Sequence, residues 1–132
     1  MALLKEEIVD WKVYFENTSG KGYLSTANAK GEVNTAVYSR PHVLEDGTFV
    51  FGMADRLTHA NLQENPHAIY AFNEQGYAGY RIYLKKVREE ESGPMLDQIR
   101  ERTKIVSVER AADKVKYAVY FQPVRSLPLV GV

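Results

Sequence analysis

Apolar side chains recur at helical spacing at the start of the chain and at strand spacing over most of its remaining length. Leu4, Ile8, Trp11 and Phe15 share one helical face, with Lys5, Glu6, Glu7 and Asp10 elsewhere on the wheel. This predicts an amphipathic helix that stops within residues 17–20, where NTSG supplies turn and cap residues. Its large side chains then need the end of a sheet or barrel to cover. After Gly22 short extended segments take over, 23–27 and 33–39 joined by the turn NAKGE in a hairpin. On the second of these, Val33, Thr35 and Val37 face one way and Asn34, Ala36 and Tyr38 the other. Pro41 then marks a strand end or an edge. Further strands are predicted over 47–53, 67–72, 80–87 and 117–124, with a short one at 105–108. In the 80–87 segment, Tyr80, Ile82 and Leu84 alternate with Arg81, Tyr83 and Lys85, one face core and one wet. Helices are expected over 56–64 and from Ser92-Gly93-Pro94 to about Arg102, the latter turning Met95, Leu96 and Ile99 inward. A charged linker spans 109–116, and the apolar tail RSLPLVGV is expected to pack on a neighbouring surface. Short strands joined mostly by tight turns, with flanking short helices, predict a mainly β single domain over 1–132. The architecture expected is a six- to seven-stranded antiparallel barrel.

The stretch GTFVFGMADRLTHANLQENP, residues 47–66, organises this pattern. A short apolar run, Thr48 to Phe51 and Met53, reads as a buried strand, broken by Gly52 where a planar group has room to approach the backbone. Asp55 is the expected N-cap of the following helix, and Asn65-Pro66 ends it. Its first turn therefore carries Arg56 and Thr58 beside backbone N–H groups without intrahelical partners, and about half a positive charge of helix dipole. Anions bind at such helix ends; a solvated Arg56 on an ordinary capped helix is the plainer alternative.

Composition removes several function classes. Seventeen basic residues balance seventeen acidic ones, so no global field attracts nucleic acid or an anionic membrane. Tyr80, Tyr83, Lys85, Lys86 and Arg88 are the one cluster that would suit a single strand, and no nucleic-acid partner is expected. With no cysteine there is neither disulfide nor thiolate chemistry, which fits a reducing, cytoplasmic compartment. The first residues are too acidic for a signal peptide and no membrane association is expected. His42, His59 and His67 are too scattered for a metal site, and His59 reads as structural. Nucleophile elbows and Gly-rich nucleotide loops are missing, so no catalytic residue is assigned. Chemistry, if there is any, must come from a cofactor.

Taken together, GYLSTAN (22–28), EVNTAVYSRP (32–41), GTFVFGMADRLTHANLQENPHAIYAF (47–72), GYRIYLKKV (79–87) and the closing AVYFQPVRSLPLVG resemble the pyridoxamine 5′-phosphate oxidase-related family of FMN-binding split β-barrels. The third segment is the most specific. The resemblance implies FMN as cofactor, its ring lined by Asn34, Thr35, Ala36 and Val37 and its phosphate held by Phe51, Met53, Ala54, Arg56 and Thr58, with Asn61. It also implies a homodimer with cofactor sites at the interface, completed by Arg81, Trp11 or the Pro128-Leu129 tail of the partner. Relatives often carry lysine where this chain has Leu57, so Arg56, Thr58 and the helix end must balance a phosphate charge of about −1.5 to −2. The extended basic substrate set and extra C-terminal segment of a true vitamin B6 oxidase are not found, and that activity is not expected. Implied instead is a small oxidoreductase, flavin reductase or electron carrier acting on a small-molecule redox substrate. The alternative is a non-catalytic dimeric barrel for another flavin, a haem or a small phosphate ester.

Overall fold

A computed structural model describes residues 9–106, 112 and 114–131 of the chain. In order the elements are α1 (Trp11–Asn17), β1 (Lys21–Ala27), β2 (Val33–Val37), β3 (His42–Val43), β4 (Phe49–Met53), α2 (Leu57–Glu64), β5 (His67–Asn73), β6 (Gly79–Glu90), α3 (Pro94–Val106) and β7 (Tyr117–Pro128). All strand pairs are antiparallel, in one seven-stranded sheet of order β2-β1-β5-β6-β7-β4-β3.

That order forces the sheet to curl. The sequence neighbours β2 and β3 lie at opposite edges, yet only residues 38–41 connect them. Five Cα steps reach at most about 18 Å. Six strand spacings would hold the edges of a flat sheet about 29 Å apart. The sheet therefore bends into a barrel left unclosed between β2 and β4, which is the split-barrel architecture. Across the split, Tyr38 stands edge-on to Phe51, ring centroids 5.8 Å apart at 90°.

Alternation along β4 decides what lies on each side. Phe49, Phe51 and Met53 turn into the barrel with Leu24, Tyr70, Phe72, Ile82, Leu84, Val119 and Phe121, all buried. Val50 turns outward, where Leu96 and Ile99 of α3 cover it together with Ala118 and Tyr120 of β7. Both faces of β4 are thus buried, as its apolar run predicts. Gly52 lets α3 lie this close: a Cβ there would stand 2.4 Å from Ile99 Cγ2 and 3.0 Å from Val115 Cγ1.

Helix α1 plugs one end of the barrel. Asp10 caps it by accepting from the Val13 N–H at 3.2 Å, and Trp11 meets Tyr80 edge-on at 5.0 Å and Phe49 at 6.3 Å. Arg40 reaches over from beyond β2 and donates from Nη1 to the carbonyls of Phe15 (2.8 Å) and Thr18 (2.7 Å), satisfying the C-terminal end. The earlier part of the predicted first helix, with Leu4 and Ile8, lies outside the described residues.

Two expectations are corrected or cut short. The short strand at 105–108 is not formed at Ile105 and Val106, which continue α3, while 107–108 lie outside the described residues. Of the linker 109–116, Ala112 and Lys114 are helical, and 109–111 and 113 lie outside. Local pattern also missed β3, whose two residues pair His42 with Val50 and Val43 with Phe49. The tail pairs by its backbone within its own chain, β7 running on to Pro128 beside β6 and Leu129 N–H donating to the Gly79 carbonyl at 3.0 Å, while Val130 stays exposed. Among the described residues no helix is long and apolar enough to cross a membrane.

Candidate functional site

The split between β2 and β4 holds a cleft of about 420 Å³, a size usual for a cofactor site. One wall is the inward-turned face of β2 with the residue after it, Asn34, Ala36 and Tyr38, and the opposite wall is Gly52, Ala54, Arg56 and Thr58 from the β4–α2 junction. The hydrophobic-polar alternation of β2 sends Asn34 and Ala36 inward and leaves Val33, Thr35 and Val37 exposed.

Local geometry makes the junction an anion cradle. The N-cap position of α2 is Arg56, extended at φ −138° and ψ −172°, and no side chain caps this end. Asp55, the expected N-cap, stands one residue before Arg56. The Arg56 side chain, the Thr58 hydroxyl and the uncapped first turn meet at one place, with the Asn34 amide donating to Thr58 Oγ1 at 3.4 Å. Lys114 reaches the cleft from the segment before β7. Burial raises the Tyr38 phenol above its ordinary value, against a hydrogen bond with Thr58 and the charge of Arg56, so it is neutral at pH 7.

Helix α2 is held from behind. His59 stacks on Tyr117 with centroids 3.7 Å apart and planes within 6°. Its Nε2 lies 3.0 Å from Glu89 Oε2, and the Gln63 amide (2.8 Å) and Lys86 Nζ (2.5 Å) donate to Glu89 Oε1. Burial pushes the Glu89 carboxyl up, but the bonds from Lys86, Gln63 and His59 outweigh it and leave it at about 2. This carboxylate and its donors tie α2 to β6 and β7, fixing where the helix start points.

The residues singled out in the sequence separate into two groups. Asn34, Ala36, Val37, Ala54, Arg56 and Thr58 line the cleft together. Thr35 points to the other face of the sheet, its Oγ1 3.0 Å from Ser25 Oγ. Phe51 and Met53 are sealed in the barrel core, and Asn61 is buried with its amide donating to Thr26 Oγ1 at 3.1 Å. Arg81 holds the tail of its own chain, through Nε to the Pro128 carbonyl (2.9 Å) and Nη2 to the Gly131 carbonyl (2.6 Å). Trp11 belongs to the aromatic plug. The basic-aromatic cluster disperses: Tyr80 meets Trp11 and Tyr14, Lys86 pairs with Glu89, and Arg88 lies over Tyr120 at 3.6 Å. Not singled out were Tyr38, whose place on the Asn34 face the alternation already gives, and Lys114, whose charged segment carries no positional signal.

Neither a family model nor a curated protein sequence matches the chain. Solved structures do. An FMN-binding protein from Syntrophomonas wolfei subsp. wolfei superposes with a TM-score of 0.76 at 24% identity, over 92% of this chain and 84% of that one. An F420 reductase gives 0.65 at 15% identity, over 92% and 99%. The chain has the pyridoxamine 5′-phosphate oxidase-like fold. HutZ, the haem storage protein from Vibrio cholerae, gives 0.58 at 16% identity, over 88% and 90%. In this example of the pyridoxamine 5′-phosphate oxidase-like fold, the split of the barrel and the basic cleft are the same place.

Proposed function

We propose that this protein is an FMN-binding flavoprotein, a small oxidoreductase, flavin reductase or electron carrier, working as a homodimer. One observation carries the reading: Arg56 and Thr58 stand at an uncapped helix start inside a cleft with a second cation, Lys114. A phosphomonoester brings a charge of about −1.5 to −2. Two cations and the positive helix end offset it without the lysine that Leu57 replaces. The donor set therefore suits the phosphate of FMN, with Thr58 and Asn34 offering hydrogen bonds and Val37, Tyr38 and Gly52 a mostly apolar wall for the ring. Bound FMN supplies hydride or electron transfer, which asks for no protein nucleophile in the cleft. The residues of this chain bind, orient and screen from water.

The homodimer is supported by what β2 leaves uncovered. Val33 and Val37 are 82% and 65% exposed on an edge strand, and Val37 also borders the cleft. A second copy laid there covers both and closes the cleft from outside. The visible spectrum of the purified protein, FMN titration and reduction by NADH or NADPH test the whole reading. Saturable FMN with nicotinamide turnover supports a reductase, and saturable FMN without turnover supports a carrier. A protein that ignores FMN returns the reading to a barrel for a different phosphate ester or haem, which the likeness to HutZ keeps open.

A further inference from the structure

The cleft is the first of three hollows in a row. It shares Val37, Tyr38 and Gly52 with a second, of about 220 Å³, which shares Arg40, His42 and Arg102 with a third, of about 450 Å³. The row follows the split past β3 and up to α3. Its charge is unlike that of the molecule. Over the whole sequence basic and acidic residues balance, seventeen each. Among the described residues, this row is lined by the cations Lys12, Arg40, Arg56, Arg102 and Lys114 and by one carboxylate, Glu16. That carboxylate and Lys12 pair with each other at 2.6 Å, so neither adds to the balance, which rests on Arg40, Arg56, Arg102 and Lys114. A furrow of one sign with low-dielectric walls concentrates anions.

The far end is the part that the flavin reading leaves unexplained. Arg40 spends Nη1 on the end of α1. Arg102, from α3, donates through Nη2 to the Arg40 carbonyl, and among the described residues neither guanidinium meets a carboxylate. Burial, and then the like charge of Arg40, lower the pKa of Arg102; burial, and then Arg102, hold His42 at about 4. His42 is therefore neutral at pH 7 and adds a polar group without a third charge. Holding one carbonyl needs a single N–H, which glutamine supplies; a guanidinium offers five donors in a fork that fits an oxyanion through two of them. Two half-buried cations with no acid between them are a cost to the fold that a bound anion removes.

We propose that the Arg40–Arg102 end of the furrow is an oxyanion site, taking the carboxylate or phosphate of a small-molecule ligand that lies along the furrow beside the flavin. The place beside the flavin rests on the FMN reading; the oxyanion site does not. The ligand class is an anionic metabolite with its acidic group at Arg102 and its reactive part towards Tyr38 and Gly52.

The test begins with the unaltered protein. Arginine Nε–Hε resonances are followed during titration with benzoate and, separately, with inorganic phosphate, with Arg102→Lys giving the assignment. A saturable shift of the Arg102 resonance is expected with at least one probe, and which probe saturates identifies the oxyanion. Arg102→Gln is expected to lose that binding at least tenfold while retaining FMN by its visible spectrum, and Arg56→Ala to do the reverse. Should Arg102→Gln fold poorly, Arg102→Lys keeps the cation and loses the fork, and about tenfold weaker binding is expected of it. No shift at Arg102 with either probe, or equal affinity in the glutamine variant, overturns the site whether or not FMN binds. An Arg102 shift in a protein that ignores FMN leaves the site standing and removes the flavin reading alone.

Discussion

At the scale of single residues, position relative to the split decides what a side chain can do. Arg56 occupies the N-cap position yet caps nothing, so its charge is free for a ligand. Removing a charge-assisted contact of this kind costs about 1.5 to 3 kcal/mol. Arg56→Ala is therefore expected to weaken FMN binding by roughly ten- to a hundredfold in a fluorescence titration. An unchanged dissociation constant would sink the phosphate role. Glu89 shows the other use of charge. Its carboxyl is at about 2 in the fold, below the ordinary unfolded value of about 4.3, so its contribution to stability is present in full above that value. It is lost as the pH falls through that window towards about 2. Urea midpoints of wild type and Glu89→Gln should be well separated at pH 7, closer together at about pH 3 and convergent only below about pH 2; a constant gap would mean that the carboxylate does not stabilise the fold.

Elements explain which parts of the sequence were legible. Strands β2 and β6 follow from a period of 2, strands β1, β4 and β5 from short runs of strand formers between Lys-Gly, Asp-Gly and Asn-Pro turns, and helix α2 from its polar start and its Asn-Pro end, each a local signal. Two-residue β3 has no periodicity to read, and Ile105 and Val106 look like a strand because β-branched residues are strand formers, while α3 runs on through them. Within the site, Phe51 and Met53 share a strand with Gly52 but point the opposite way, a distinction fixed by alternation rather than by resemblance. Gly52 itself is explained only by α3, from a helix more than forty residues later in the chain. Gly52→Ala must push a methyl against Ile99 and Val115. Overpacking of this sort costs about 1 to 3 kcal/mol, and a melting temperature several degrees lower is expected by calorimetry. A melting temperature at the wild-type value would show that α3 sits further from β4.

For the molecule as a whole, the proposed homodimer is assigned to the β2 edge. The edge of β2 offers unpaired backbone beside exposed Val33 and Val37, and the cleft opens along it. Val37→Glu is expected to convert a dimer, measured by light scattering, into a monomer, and to weaken FMN binding with it because Val37 borders the cleft. A dimer that survives the substitution would place the interface elsewhere on the sheet.

The unclosed seam also sets an order of opening. Every other strand boundary is a ladder of backbone hydrogen bonds, whereas β2 and β4 face one another across side chains alone. Widening the seam breaks no ladder, so the barrel can breathe there at little cost while β5, β6 and β7 stay closed. In hydrogen–deuterium exchange the amides of β2 and β3 should trade first and those of β5 to β7 last. A ligand in the furrow should slow the first group and leave the last untouched.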